Sequence, residues 1–144
     1  MCIRDRLASL QEWAGALPMP KRLRPVHRDF YYSQVLIDGP RLTLIDFDLI
    51  CLGDAAIDVA NFNAHLMFMG LDLGGTPEHL QMLTARFVDA YKDNRPPDAG
   101  FDSRVEFYTA ATYFRLMNVV AGRPALAHLL GSLQRLTRQA LAPA

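Results

Sequence analysis

The hydrophobic period changes twice along the chain, and those changes divide it into elements. In LASLQEWAGAL (7–17), Leu7, Leu10, Trp13, Ala14 and Leu17 recur at three- and four-residue intervals, the spacing of one helical face. Pro18 and Pro20 end that helix, because proline lacks the N–H the helix would need. From Pro25 the period shortens. VLI (35–37) and RLTLIDF (41–47) are short apolar runs, the second with β-branched Thr43 and Ile45, separated by Asp38-Gly39-Pro40. Apolar runs around Asp-Gly predict a β-hairpin. Past Gly53 the helical period returns. Asp54 is placed to cap a helix over about 55–68, with Val59, Phe62 and Leu66 on one face. Gly74-Gly75-Thr76-Pro77 is a break, with Thr76 as cap and Pro77 at the first helical position of a helix over 78–92. Helices over about 102–121 and 124–141 follow, separated from it by NRPPDAG (94–100) and from each other by Gly122 and Pro124.

The pattern predicts an α+β fold, predominantly helical, with one small hairpin among about five helices. Residues 7–144 form a single domain on this reading. The first six residues, MCIRDR, fit no element and are expected to be a non-native leader outside the fold. A chain of 144 residues is long enough for one real core. Apolar content of 51% and charged content of 21% suit a globular protein, and no apolar run nears the roughly 18 residues of a membrane span. Cys2 and Cys51 show no metal-ligand spacing and need no disulfide, and no secretory leader is visible. The expected compartment is therefore the reducing cytoplasm.

Charge sharpens the picture. The net charge is zero, yet residues 29–72 hold seven aspartates against the single Arg41. A nucleic-acid binder needs a basic face, which this balance does not offer. Concentrated aspartate instead suits a hard cation with oxygen ligands, or simply turns. The densest stretch is HRDFYYSQVLIDGPRLTLIDFD (27–48), with four aspartates, one histidine and one amide side chain. Asp46 and Asp48 alternate at the end of a predicted strand, so they are expected on one side of it. A closed hairpin would return that strand end toward Asp29, 17 residues earlier. Grouped carboxylates repel unless a cation or proton neutralises them, and Mg²⁺ accepts one or two carboxylates while keeping water and phosphate oxygens.

These residues also resemble a known family. H-R-D-F-x-x-x-Q (27–34) is similar to the kinase catalytic loop, and I-D-F-D (45–48) sits where kinases place D-F-G. H-x-D, V-L-I-D-G, L-I-D-F-D and G-D-x-x-x-D-V-A-N-F, in that order over 26–63, resemble the aminoglycoside phosphotransferase and choline kinase family. The resemblance implies a kinase-like C-terminal lobe and phosphoryl transfer from ATP, or another nucleoside triphosphate, to a small-molecule hydroxyl. It implies Asp29 as the catalytic aspartate, Asp46 as a Mg²⁺ ligand, and Gln34 at the metal- and nucleotide-binding amide position. Asp48 would be an auxiliary metal group. His27, Arg28 and Asp58 would support the loop, with Asp58 bracing it from the following helix.

A kinase-like enzyme also needs a lobe with a strand lysine and a loop over the nucleotide. No glycine-rich turn precedes Val26. The chain is therefore expected to be the C-terminal lobe of a longer phosphotransferase, inactive alone, with the missing N-terminal lobe as its partner. Two other readings remain open at this level: a non-catalytic kinase-like binding module, and a metal-dependent phosphoester hydrolase. Tyr31 and Tyr32 line an acceptor site or pack. Lys21, Arg22 and Arg24 approach phosphate or form a solvated turn. His65, His79 and His128 are expected at the surface or in the core, without ligands.

Overall fold

The computed structural model describes residues 3–141, so Cys2 and Met1 of the expected leader lie outside the described residues. Helix α1 spans Ile3–Ala16. Its first turn includes residues expected to lie outside the fold. Arg6 is buried, its Nη1 lies 3.4 Å from the Met117 sulfur, and residues 3–6 are thus part of the helix rather than a detached leader. The charged sequence concealed this, because the face that packs is carried by Arg6 and Leu10 instead of an apolar stripe.

Two small antiparallel sheets follow. Strand β1 (Arg24–Val26) pairs with β4 (Cys51–Gly53), and β2 (Val35–Asp38) pairs with β3 (Arg41–Leu44). The hairpin turns at Gly39-Pro40, with Gly39 at φ 53° and Asp38 opposite Arg41. Enclosing the hairpin inside the β1–β4 pair brings residues 27–34 and 45–50 together.

Helices α2 (Ala56–Asp72), α3 (Pro77–Asn94), α4 (Phe101–Ala121) and α5 (Leu130–Ala140) make the body. Thr76 caps α3 as expected, accepting from the His79 N–H, with Pro77 in the first turn. The helix expected over 124–141 divides instead. Pro124–Leu129 is a 3₁₀ segment, and regular helix begins only at Leu130. The main core joins Ala64 and Met67 of α2, Leu80 of α3, Tyr113, Leu116 and Val120 of α4, and Leu133 of α5. A second cluster gathers Ala56, Val59 and Ala60 with Phe101 and Val105. Gly70 permits the α2–α3 contact, since the Leu80 methyls fill the space a Cβ would occupy. No helix among the described residues is long and apolar enough to cross a membrane.

The hairpin side is different. Leu36, Ile37, Leu42, Leu44, Phe47 and Ile50 are all exposed, so the sheet end presents apolar surface rather than core.

A buried ion-pair network lies just past β4, at the start of α2. Arg104 is 3% exposed; its Nε donates to Asp54 at 2.8 Å and its Nη2 to Asp98 at 2.7 Å. Asp54 also accepts from the Ala56 N–H, and so caps α2. The Arg104 hydrogen bond holds the Asp98 carboxyl below its ordinary value. The stability linked to that shift is intact above the normal carboxylate range and is lost as pH falls through the lowered folded value. Arg104→Ala strands these carboxylates and is expected to cost about 3–5 kcal/mol in denaturant unfolding. A loss below about 1 kcal/mol would contradict the network's role.

Candidate active site

Strand β1 ends at the buried Val26 and delivers the chain into His27-Arg28-Asp29. Arg28 turns left-handed, with φ 69°. That conformation costs a non-glycine residue on the order of 1–2 kcal/mol, so something must hold it. Asp58 does. From the first turn of α2, its Oδ2 accepts the His27 N–H at 2.7 Å and its Oδ1 the Arg28 N–H at 2.8 Å. Both oxygens of one carboxylate are thus spent on consecutive backbone donors, in charge-assisted bonds stronger than neutral ones. One turn further along α2, Asn61 donates to the Phe30 carbonyl at 3.0 Å. The helix therefore grips both sides of Asp29.

His27 lies beneath this loop. Its Nε2 sits 2.8 Å from the Ile45 carbonyl, which can only accept, so the proton is on Nε2. Nδ1 is buried without a hydrogen-bond partner, and the ring packs 5.1 Å from Phe47. This histidine ties the two loops together through its ring.

The second loop departs from the sequence expectation. Strand β3 ends at Leu44, and Asp46 is left-handed, with φ 66°, so strand alternation does not place Asp46 and Asp48. Tertiary hydrogen bonds place Asp46 instead. The Ile45 N–H donates to the Gln34 carbonyl at 3.1 Å, and Gln34 Nε2 donates to Asp46 Oδ2 at 3.0 Å. The buried Gln34 amide must show its nitrogen to Asp46, because its oxygen would repel the carboxylate. Asp48 is exposed. Among the described residues, Arg28 and Asp46 are the two non-glycine positions with positive φ, and both adjoin the candidate site. No group of three or more His, Cys, Asp or Glu gathers at metal-binding distance among the described residues. Mg²⁺ needs only one or two carboxylates when phosphate and water complete its shell, so the Asp46 carboxylate suits such an ion.

Asp29 faces a cleft of about 470 Å³ that Arg28, Asn61, Tyr108, Thr112 and Arg115 also line. Arg115 Nη2 donates to Asn61 Oδ1 and to His65 Nε2, each at 3.0 Å. Tyr31 packs on His65 with ring centroids 4.7 Å apart. Burial first, and the Arg115 charge second, push the His65 pKa down to about 4, against a smaller upward pull from Asp29. His65 is therefore neutral at pH 7 and accepts from Arg115.

From sequence, Asn61 had no role beyond its place in the D-V-A-N-F motif, His65 was expected only at the surface or in the core, and Arg115 was not singled out. Spacing offered a signal: Asn61 follows Asp58 by three residues, and Tyr108, Thr112 and Arg115 recur on one face of α4. Lys21, Arg22 and Arg24 lie elsewhere, around a separate cavity of about 230 Å³ beside Arg104. His128 pairs with Asp72 at 3.3 Å.

A model of the phosphotransferase enzyme family matches residues 3–101, from the first turn of α1 to the start of α4. The chain belongs to this phosphotransferase family. No curated protein matches it. Both loops and the Asp58 brace lie inside the matched span, whereas Arg115 lies beyond it.

Asp58→Ala removes the acceptor from two backbone N–H groups and is expected to cost about 1–3 kcal/mol in unfolding. Amide exchange at His27 and Arg28 should accelerate together; unchanged protection at both would refute the brace. His65 should titrate near pH 4 by NMR. Because its folded pKa is depressed, stability is fully present above about pH 6.5 and falls as pH drops toward 4. Arg115→Gln should raise the midpoint only in part, since burial is the larger cause; a midpoint at the ordinary value in the wild type would contradict this environment.

Proposed function

We propose that this phosphotransferase moves the γ-phosphoryl group of ATP, or another nucleoside triphosphate, to a hydroxyl of a small molecule, with Mg²⁺ as the metal. The observation that carries the reading is the loop held by Asp58, which presents Asp29 to a cleft of about 470 Å³. Asp29 receives the acceptor hydroxyl and takes its proton as the hydroxyl oxygen bonds to phosphorus and the bond to the departing nucleoside diphosphate breaks. Asp46 would hold Mg²⁺, with Asp48 as an auxiliary group, and Gln34 sets the Asp46 carboxylate by its 3.0 Å hydrogen bond. When bound, Mg²⁺ neutralises phosphate charge in the transferring group. Asp58 and His27 act through the backbone they hold.

The exposed apolar side chains of β2, β3 and the following loop support a further element of the reading. Surface of that kind suits a second lobe, one that seats the nucleotide and carries the groups for its α- and β-phosphates. On this reading, half a nucleotide site leaves the 144-residue chain inactive by itself.

A second reading, a non-catalytic kinase-like binding module, is favoured by one observation: Gln34 turns its amide nitrogen, not its oxygen, toward Asp46. ATP turnover separates the two. In the protein carrying its nucleotide-binding lobe, Asp29→Asn should lower kcat by about 10²–10⁴-fold with the circular dichroism spectrum unchanged. Turnover at the wild-type rate in that variant would overturn the assignment, and absence of turnover in the wild type would favour the binding module.

A further inference from the structure

Two arginines on one face of α4 have opposite electrostatic situations. Arg104 and Arg115 are eleven residues apart, close to three full turns, so they lie on the same stripe of the helix. Arg104 is neutralised by Asp54 and Asp98, at 2.8 and 2.7 Å. Arg115 has only neutral acceptors, Asn61 Oδ1 and His65 Nε2, each at 3.0 Å. Among the described residues no carboxylate lies within ion-pair distance of it.

The neutral contacts orient the guanidinium without cancelling its charge. Asn61 is itself fixed by the Phe30 carbonyl, and His65 is held against Tyr31. Both contacts use Nη2, which leaves the donors of Nη1 and Nε for another partner. A planar fork held in place, with donors to spare, is the arrangement that binds carboxylate or phosphate. The neutrality of His65 matters as well, since an imidazolium there would repel Arg115 and compete for the anion. The rest of the cleft agrees in sign. Its charged lining residues are Arg28, Arg115 and Asp29, two cations against one carboxylate. A polycationic acceptor would meet repulsion with a single compensating charge, whereas an anionic acceptor is drawn in.

We propose that the acceptor is a hydroxyl compound carrying an anionic group, carboxylate or phosphate, which Arg115 binds while the hydroxyl lies at Asp29. The proposal rests on the phosphotransferase reading for the role of Asp29, and adds the acceptor's charge class. Arg115 is then the residue that selects the acceptor.

The test is binding to the 144-residue chain without nucleotide, by calorimetry, using matched probes. Gluconate is compared with sorbitol, glycerol 3-phosphate with glycerol, and glucosamine serves as the cationic control. At least one anion is expected to bind ten times or more tighter than its neutral counterpart and than glucosamine. The gluconate and glycerol 3-phosphate arms tell carboxylate from phosphate. Arg115→Gln should abolish the preference, and Arg115→Lys should restore part of it, which a merely structural loss would not allow. Equal affinities within both pairs, a preference for glucosamine, or an anion preference that survives Arg115→Gln would overturn the proposal. Because no turnover is read, failure here leaves the effect of Asp29→Asn on transfer untouched. Conversely, an Arg115-dependent anion preference, with no phosphoryl transfer by the protein carrying its nucleotide-binding lobe, would remove the phosphotransferase reading alone.

Discussion

The fork of the Asp58 carboxylate across the His27 and Arg28 N–H groups is the constraint on which the site depends. Arg28 is in a backbone conformation it would not keep unaided, and Asp29 takes its direction from that residue. The fork is only as firm as the helix that carries it. Helix α2 is firm because Val59, Ala60 and Ala64, just beyond Asp58, are almost completely buried against α3, α4 and α5. Close packing there transmits position, so a loop at the surface inherits the precision of the core.

The same helix arranges the cleft that Asp29 lines. Asn61 binds the Phe30 carbonyl with its nitrogen and Arg115 with its oxygen, so one amide links the 27–30 loop to α4. Charge is then distributed with a clear division along α4. Near its first turn Arg104 is sealed between two carboxylates and serves stability. Three turns on, Arg115 meets neutral groups and keeps its charge available to the cleft. Burial explains the difference in partners. An arginine 3% exposed needs counterions, because leaving it unpaired would be prohibitive, while an exposed one can remain unneutralised in water.

Much of this was legible in the amino-acid order, for reasons of local physics. The Thr76-Pro77 cap and the Asp38-Gly39-Pro40 turn act over a few residues, and α3 and the hairpin stand where they were expected. The order of H-R-D, I-D-F-D and the Asp58 motif pointed to the family, whose model spans residues 3–101. What was misread depended on distant partners. Residues 3–6 fitted no predicted element because their charges gave no apolar stripe, yet they open α1, with Arg6 buried near Met117, 111 residues away. The run to Phe47 looked like a strand, but pairing stops at Leu44 and Asp46 turns left-handed toward Gln34.

Sequence by itself determined the helical body, the hairpin, the family and the list of carboxylates, because those follow from local propensity and from spacing along the chain. Only the tertiary structure decided how the groups are used. It set Asp58 under two backbone N–H groups 30 and 31 residues away, turned the Gln34 nitrogen toward Asp46, and brought Arg115 against His65 across 50 residues. Those pairings come from how the helices and loops pack, and an arginine's charge is neutralised or left available according to which side chains that packing brings beside it.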